Sequence, residues 1–149
     1  MMRIDQVSPD NPEAVRLLKQ LSDALASITG DSGTSSFDPA DMGRSGTCFV
    51  IAYDVQGQAA GCGAYRPLSQ DTAELKRMYA VPGGRGVGVT ILNYLEAKAI
   101  SDGYREIWLE TRLVNRRAVS FYQKTGYRRI ANFGKYVGRP EAACFAKRL

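Results

Sequence analysis

A glycine-rich turn, Gly83-Gly84-Arg85-Gly86-Val87-Gly88, lies between a strand-like segment over residues 72–81 and a helix-like one over residues 87–102. A strand that runs through such a turn into a helix commits the chain to sheet-and-helix architecture. It also leaves unpaired backbone N–H groups and the positive end of a helix dipole facing outward. Glycines suit this place because a side chain would block close approach of an anion and would penalise positive φ. The turn therefore outlines a pyrophosphate site, although a bare strand-to-helix connection has the same letters. It is not a P-loop, which needs Gly-Lys-Ser/Thr, and the spacing of Gly84, Gly86 and Gly88 is not the GxGxxG of a dinucleotide fold.

The rest of the chain alternates in the same way. Residues 3–7 read as a short strand and 12–28 as a helix, with Pro12 in its first turn, an apolar repeat through Val15, Leu18, Leu21 or Ser22, Leu25 and Ile28, and Gly30 at its end. Residues 31–46, rich in Ser, Gly and Asp, form a loop with room for a short helix around 39–42, either a flap over a pocket or plain surface. Residues 47–54 and 58–67 read as a hairpin, and 72–81 as the next strand. In that strand Glu74 and Lys76 share a parity with Met78 and Ala80, which calls for burial on both faces or for a bulge that would open the sheet. The helix over 87–102 carries Val87, Ile91, Leu95 and Ala99 on one stripe and stops at Gly103. A strand at 106–110, a helix at 115–125, and strands at 127–131 and 142–147 complete a mixed sheet with helices on its faces.

At 149 residues, with 44% hydrophobic and 23% charged positions, the chain suits one globular domain spanning 1–149. No apolar run approaches the length of a membrane span, and the N-terminus lacks the pattern of a secretory signal, so a cytoplasmic protein is expected. Cys48, Cys62 and Cys144 sit in apolar strand-like runs without a CxxC pair and read as buried thiols. With no histidine, acid–base work falls to carboxylate, phenol, amine or water. A net charge of +5 favours anionic partners. The basic residues are scattered, with no stripe of interleaved aromatics, which argues against nucleic acid.

On the later helix, Asn115, Ala118 and Tyr122 fall at i, i+3 and i+7 ahead of Gly126-Tyr127. Taken alone, Asn115 is an N-cap and Tyr122 a buried aromatic. In order after the glycine turn, they resemble the acyl-CoA-binding core of the GNAT superfamily of N-acetyltransferases. The segment Glu74-Leu75-Lys76-Arg77-Met78-Tyr79 is very similar to the strand that precedes the turn in that family. The turn departs from the family in having Gly83 where Gln or Arg is usual and a link from the strand about two residues short. The stretch from Tyr127 to Phe145 resembles one bacterial branch of the superfamily.

The resemblance implies a single α/β (α+β) domain with a mixed, mostly antiparallel sheet of about six to seven strands and helices on both faces. It implies an acetyl-CoA-dependent N-acetyltransferase acting by direct transfer to a primary amine, with no metal. The cofactor would meet Met78, Tyr79, Ala80, Gly83, Gly84, Arg85, Gly86, Val87, Gly88, Asn115, Arg116, Ala118 and Tyr122. Tyr122 would be the general acid, and Glu74, acting through water, the first choice of base, with Glu110 as the other carboxylate. Implied partners are a small-molecule or peptide amine, with no nucleic acid or membrane and with room for a homodimer. Acceptor choice would rest with the first helix and the loops at 31–46 and 132–141, where Phe37, Phe133 and Tyr136 could line a pocket. A noncatalytic acyl-CoA sensor is the alternative.

Overall fold

The computed structural model describes residues 2–149. Seven strands, β1 (Arg3–Gln6), β2 (Cys48–Tyr53), β3 (Ala59–Pro67), β4 (Thr72–Ala80), β5 (Glu106–Arg112), β6 (Arg128–Ile130) and β7 (Ala142–Arg148), build one sheet in the order β1-β2-β3-β4-β5-β7-β6. All neighbours are antiparallel except β4 and β5, which run parallel. Three α-helices, α1 (Pro12–Thr29), α2 (Val87–Ser101) and α3 (Arg116–Lys124), cover the sheet. Two apolar clusters divide its faces. One joins α2 and α3 to Val50, Leu75, Ile107 and Leu109, and the other joins α1 to Phe49, Ile51, Cys62 and Ala64.

Local chemistry sets the helix ends. The Asn11 side chain accepts from the N–H groups of Glu13 and Ala14 at 2.9 and 3.4 Å, and Gly30 closes α1 at φ 81°. The buried stripe of α1 is Ala14, Leu17 and Leu21, one position off the repeat expected through Val15 and Ile28, which are 54% and 47% exposed. The small residues Ala59, Cys62 and Ala64 of β3 let the helix settle on its Ala14 side, and its later turns give Leu21 and Leu25 to a cleft. The loop after α1 holds 3-10 turns at Thr34–Ser36 and Pro39–Asp41, the second near the short helix expected there.

The mixed parity of β4 is resolved by a bulge. Opposite β3 the register passes from Cys62↔Tyr79 to Ala64↔Lys76, so three steps on β4 face two on β3, and Arg77 sits at φ 55°. Before the bulge Leu75 points into the α2–α3 cluster. After it Met78 and Ala80 do, while Arg77 reaches α1. The same bulge turns β4 away from β5. Their ladder covers only Thr72–Glu74 against Glu106–Trp108, after which β5 continues with β7 as far as Arg112↔Ala142. The sheet thus opens into a V between two parallel strands.

Close packing at Gly61 keeps β3 and β4 in this arrangement. A Cβ there would lie 2.5 Å from the Tyr79 carbonyl oxygen, 2.8 Å from Val87 Cγ1 and 3.0 Å from Ile91 Cδ1. Gly61→Ala is expected to destabilise the fold by about 1–3 kcal/mol, because the nearest obstacle is backbone. A fall in the denaturant midpoint at unchanged slope would show it; an unchanged midpoint would mean that the strands slide apart freely.

Candidate active site

The V between β4 and β5 is a cleft of about 150 Å³ that passes through the sheet. On the α2–α3 side its wall is Leu75, Met78, Leu109, Ala118 and Tyr122, apolar apart from one phenol and the neighbouring Asn115. On the α1 side it is polar, with Asp31, Ser36, Lys76, Arg77, Glu110, Arg112 and Tyr136, and Phe37 among them. Alternation along β5 makes this division: Ile107 and Leu109 belong to the apolar cluster, so Trp108, Glu110 and Arg112 face the other way.

Backbone groups at the bulge also serve the cleft. The Arg77 carbonyl accepts from the Cys62 thiol at 3.4 Å, and the peptide bond is trans. The Met78 N–H therefore points away from the Cys62 sulfur, and Met78 itself lines the cleft. Burial pushes the Cys62 thiol up to about 12, so its sulfur keeps the hydrogen it donates. Cys48 and Cys144 are also buried.

Two carboxylates flank the opening, and they differ. Glu74 is 3% exposed and lies outside the cleft lining. Its Oε1 accepts from Arg66 Nη2 at 3.2 Å and its Oε2 pairs with Lys76 Nζ at 3.0 Å. One oxygen ties β4 to Arg66 of β3 and the other pairs with Lys76 two residues on along β4, so the carboxylate ranked first as base from the sequence is enclosed by cations outside the cleft lining. Glu110 is inside the cleft. Its Oε2 is buried without a hydrogen bond, 3.6 Å from Arg112 Nε. Burial raises its carboxyl above the usual carboxylate range, against the opposing charges of Arg112, Lys76 and Lys135. Alternation after Trp108 was the signal for it, but the sequence placed the end of β5 at residue 110, two residues short of Arg112.

Tyr122 is buried, edge-on to Phe121 and Tyr127 at 5.1 and 5.6 Å between ring centres. Burial alone pushes its phenol up, so it stays protonated at neutral pH. Asn115 caps α3, its Oδ1 accepting from the Ala118 N–H at 3.3 Å, and it lines the cleft as well. The cap uses one end of the amide and leaves the NH2 end for a ligand.

The glycine turn leads into α2, whose N-cap, Gly86 at φ 74°, contributes no side-chain hydrogen bond. Free N–H groups therefore face outward at the first turn. Gly83 at φ 86° explains its departure from Gln or Arg: the short link from β4 bends through a left-handed position that L-residues occupy only under strain. At Gly88 a Cβ would sit 3.3 Å from the Phe121 ring, so this glycine lets α2 and α3 approach. Arg85 and Arg116 are exposed and make no ion pair among the described residues.

Three straps fasten the loop after α1 across the polar mouth. Arg112 Nη2 binds Asp31 at 3.3 Å, Arg77 Nη1 donates to the Ser32 carbonyl at 3.2 Å, and Lys135 Nζ donates to Ser36 Oγ at 2.7 Å. Lys76 donates to the Tyr136 hydroxyl at 3.0 Å, and Phe133 stacks edge-on to Tyr136 at 5.5 Å. Of the three aromatics named from the sequence, Phe37 and Tyr136 line the cleft and Phe133 supports Tyr136 from behind.

The family model described as the acetyltransferase (GNAT) family matches residues 16–127. The chain belongs to this family. It is similar to an uncharacterized N-acetyltransferase, YjgM, of Escherichia coli, at 29% identity over 132 residues that cover 81% of this chain and 78% of the relative. Among solved structures, an acyl-CoA N-acyltransferase described from Klebsiella pneumoniae superposes with a TM-score of 0.83 at 28% identity, covering 100% of this chain and 98% of that one. A GNAT family acetyltransferase from Elizabethkingia anophelis, solved with acetyl-CoA bound, shares the fold at a TM-score of 0.72 and 18% identity, covering 99% and 98% of the two chains. The protein is thus a GNAT acyltransferase, with the mixed, mostly antiparallel sheet and two-sided helix cover expected from its sequence. No helix of the described residues is long and apolar enough to cross a membrane.

Proposed function

We propose that this chain moves an acetyl group from acetyl-CoA directly to the primary amine of a small acceptor, with Glu110 as base and Tyr122 as acid. The observation that carries this reading is the split cleft: a buried carboxylate oxygen without a hydrogen bond on its polar side and a phenol on its apolar side. Acetyl-CoA supplies the activated acyl group as a thioester. The donors present suit it. The N-terminal N–H groups of α2, with Gly83 to Gly88 and exposed Arg85 and Arg116, suit pyrophosphate. The open edge of β4 over Met78, Tyr79 and Ala80 offers peptide groups to an amide-bearing arm, and Asn115 and Ala118 flank its end.

On the polar side the ammonium form of the acceptor is drawn to Glu110, which removes the proton by way of water and leaves a neutral nucleophile. The Met78 N–H lies where an oxyanion develops and stabilises it. Tyr122, protonated at neutral pH, returns a proton to the departing sulfur. Glu74 keeps Lys76 in place, and through it Tyr136.

Isothermal titration of acetyl-CoA, with desulfo-coenzyme A and ATP as comparators, tests the donor half. Selective, saturable binding is expected, followed by thiol release when a panel of small primary amines is added. Absence of acetyl-CoA binding would sink the reading. Binding without turnover on any amine would leave a sensor in place of an enzyme.

A further inference from the structure

Among the described residues, Arg77 is the one non-glycine residue with positive φ. It stands at the bulge, and its carbonyl belongs to the peptide whose N–H is that of the cleft-lining Met78, the oxyanion donor of the proposed reaction. A backbone in this region is strained for an L-residue and persists only where its surroundings over-determine it. Here the surroundings act through the side chain. Nη2 donates to the Leu18 carbonyl at 3.4 Å and to the Ser22 hydroxyl, both on α1, and Nη1 donates to the Ser32 carbonyl in the loop that walls the polar mouth. Among the described residues Nε is buried without a hydrogen-bond partner, and no carboxylate pairs with the guanidinium. Such a group costs desolvation with no ion pair to offset it, which is an odd choice if the aim were only to join a helix to a strand. A glycine would fill the bulge without strain, and an apolar side chain would fill the space beside Leu25 and Gly33.

We infer that Arg77 is a positioning residue for acetyl transfer: its guanidinium fixes α1 and the loop at 31–36 to the same peptide that presents the Met78 N–H, and so sets the acceptor wall and the oxyanion donor in one mutual geometry. Although Arg77 lines the polar side of the cleft, in this role it acts through the peptide and the loop rather than on acetyl-CoA or the amine. The inference rests on the reading of the cleft given above and assigns that site a control point on the acceptor side.

Arg77→Gly separates the backbone from the side chain, because glycine accepts φ near 55° while removing the strap. The test is the infrared carbonyl band of [1-13C]acetyl-CoA bound to the full-length protein at saturation, with the dissociation constant and melting curve recorded alongside. Wild type is expected to shift the band to lower frequency than in free acetyl-CoA, as a hydrogen bond from Met78 polarises the thioester. Arg77→Gly should bind acetyl-CoA within about threefold of wild type and melt cooperatively, yet return the band most of the way to the free position. Its kcat on any amine that the wild type accepts should fall by roughly tenfold or more. Ser22→Ala, which leaves β4 untouched, should move the band in the same direction by less. A band unmoved in both variants overturns the inference and leaves Arg77 a stability residue, whatever the melting curves show. A wild-type band at the free position overturns it too. Wild type that fails to bind acetyl-CoA removes the proposed function itself, and the inference with it.

Discussion

Glu110→Gln is expected to lower acetyl transfer by about 10²-fold at neutral pH with little change in acetyl-CoA affinity, since a base that deprotonates the acceptor contributes on that scale. Glutamine keeps the shape and one acceptor oxygen but cannot take a proton. The pH dependence sharpens the expectation. Burial raises the Glu110 carboxyl above its ordinary value of 4.5. The acid limb of the wild-type rate profile should therefore lie above the ordinary carboxylate range, and the variant should lose that limb. Stability should move oppositely. With the folded pKa above the unfolded one, the folded state holds the extra proton between the two values, so wild-type stability falls as pH rises through that window. The neutral amide escapes this loss, and Glu110→Gln should be more stable than wild type at neutral pH and indistinguishable from it well below pH 4.5. Turnover within twofold of wild type would reject Glu110 as the base. If Glu74→Gln gave the larger loss and shifted the acid limb, the role would return to Glu74.

Tyr122→Phe should cut kcat by roughly tenfold to a hundredfold while leaving acetyl-CoA binding nearly intact. The ring fills the same space between Phe121 and Tyr127, so packing survives and only the phenolic proton is lost. Because burial pushes the phenol up, Tyr122 should add no basic limb to the rate profile near neutral pH. Stopped-flow release of coenzyme A thiol would isolate the step. An unchanged kcat would assign protonation of the sulfur to solvent.

Much of this was legible in the letters. Helical spacing located α2 and α3, and Asn115, Ala118 and Tyr122 do share the face that meets the cleft. The parity conflict in β4 called for burial on both faces or a bulge, and the register shows the bulge. What periodicity could not supply was the partner of each charge. Glu74 and Glu110 look alike as strand-borne acids, and only the pairing of β3 with β4 brings Arg66 to close off the first on the side opposite Lys76. The stripe on α1 was misplaced for a similar reason. Alanine at 14 and valine at 15 are equally apolar, and the small residues of β3, far away in sequence, choose between them. Arg77 drew no reading of its own from the sequence, because neither φ nor carbonyl partners at Leu18 and Ser32 leave a trace in composition.

The extra residue in β4 has a consequence for traffic. By shifting the parity of the strand, it keeps the same side of β4 polar along its whole length and makes the sheet a partition with a slot, oily on one side and charged on the other. In the proposed reaction, a donor lying along the α2–α3 side and an amine arriving from the α1 side would use different doors. Under the proposed direct transfer, neither need leave before the other enters, and the acyl group would cross the wall without a parking place on the protein.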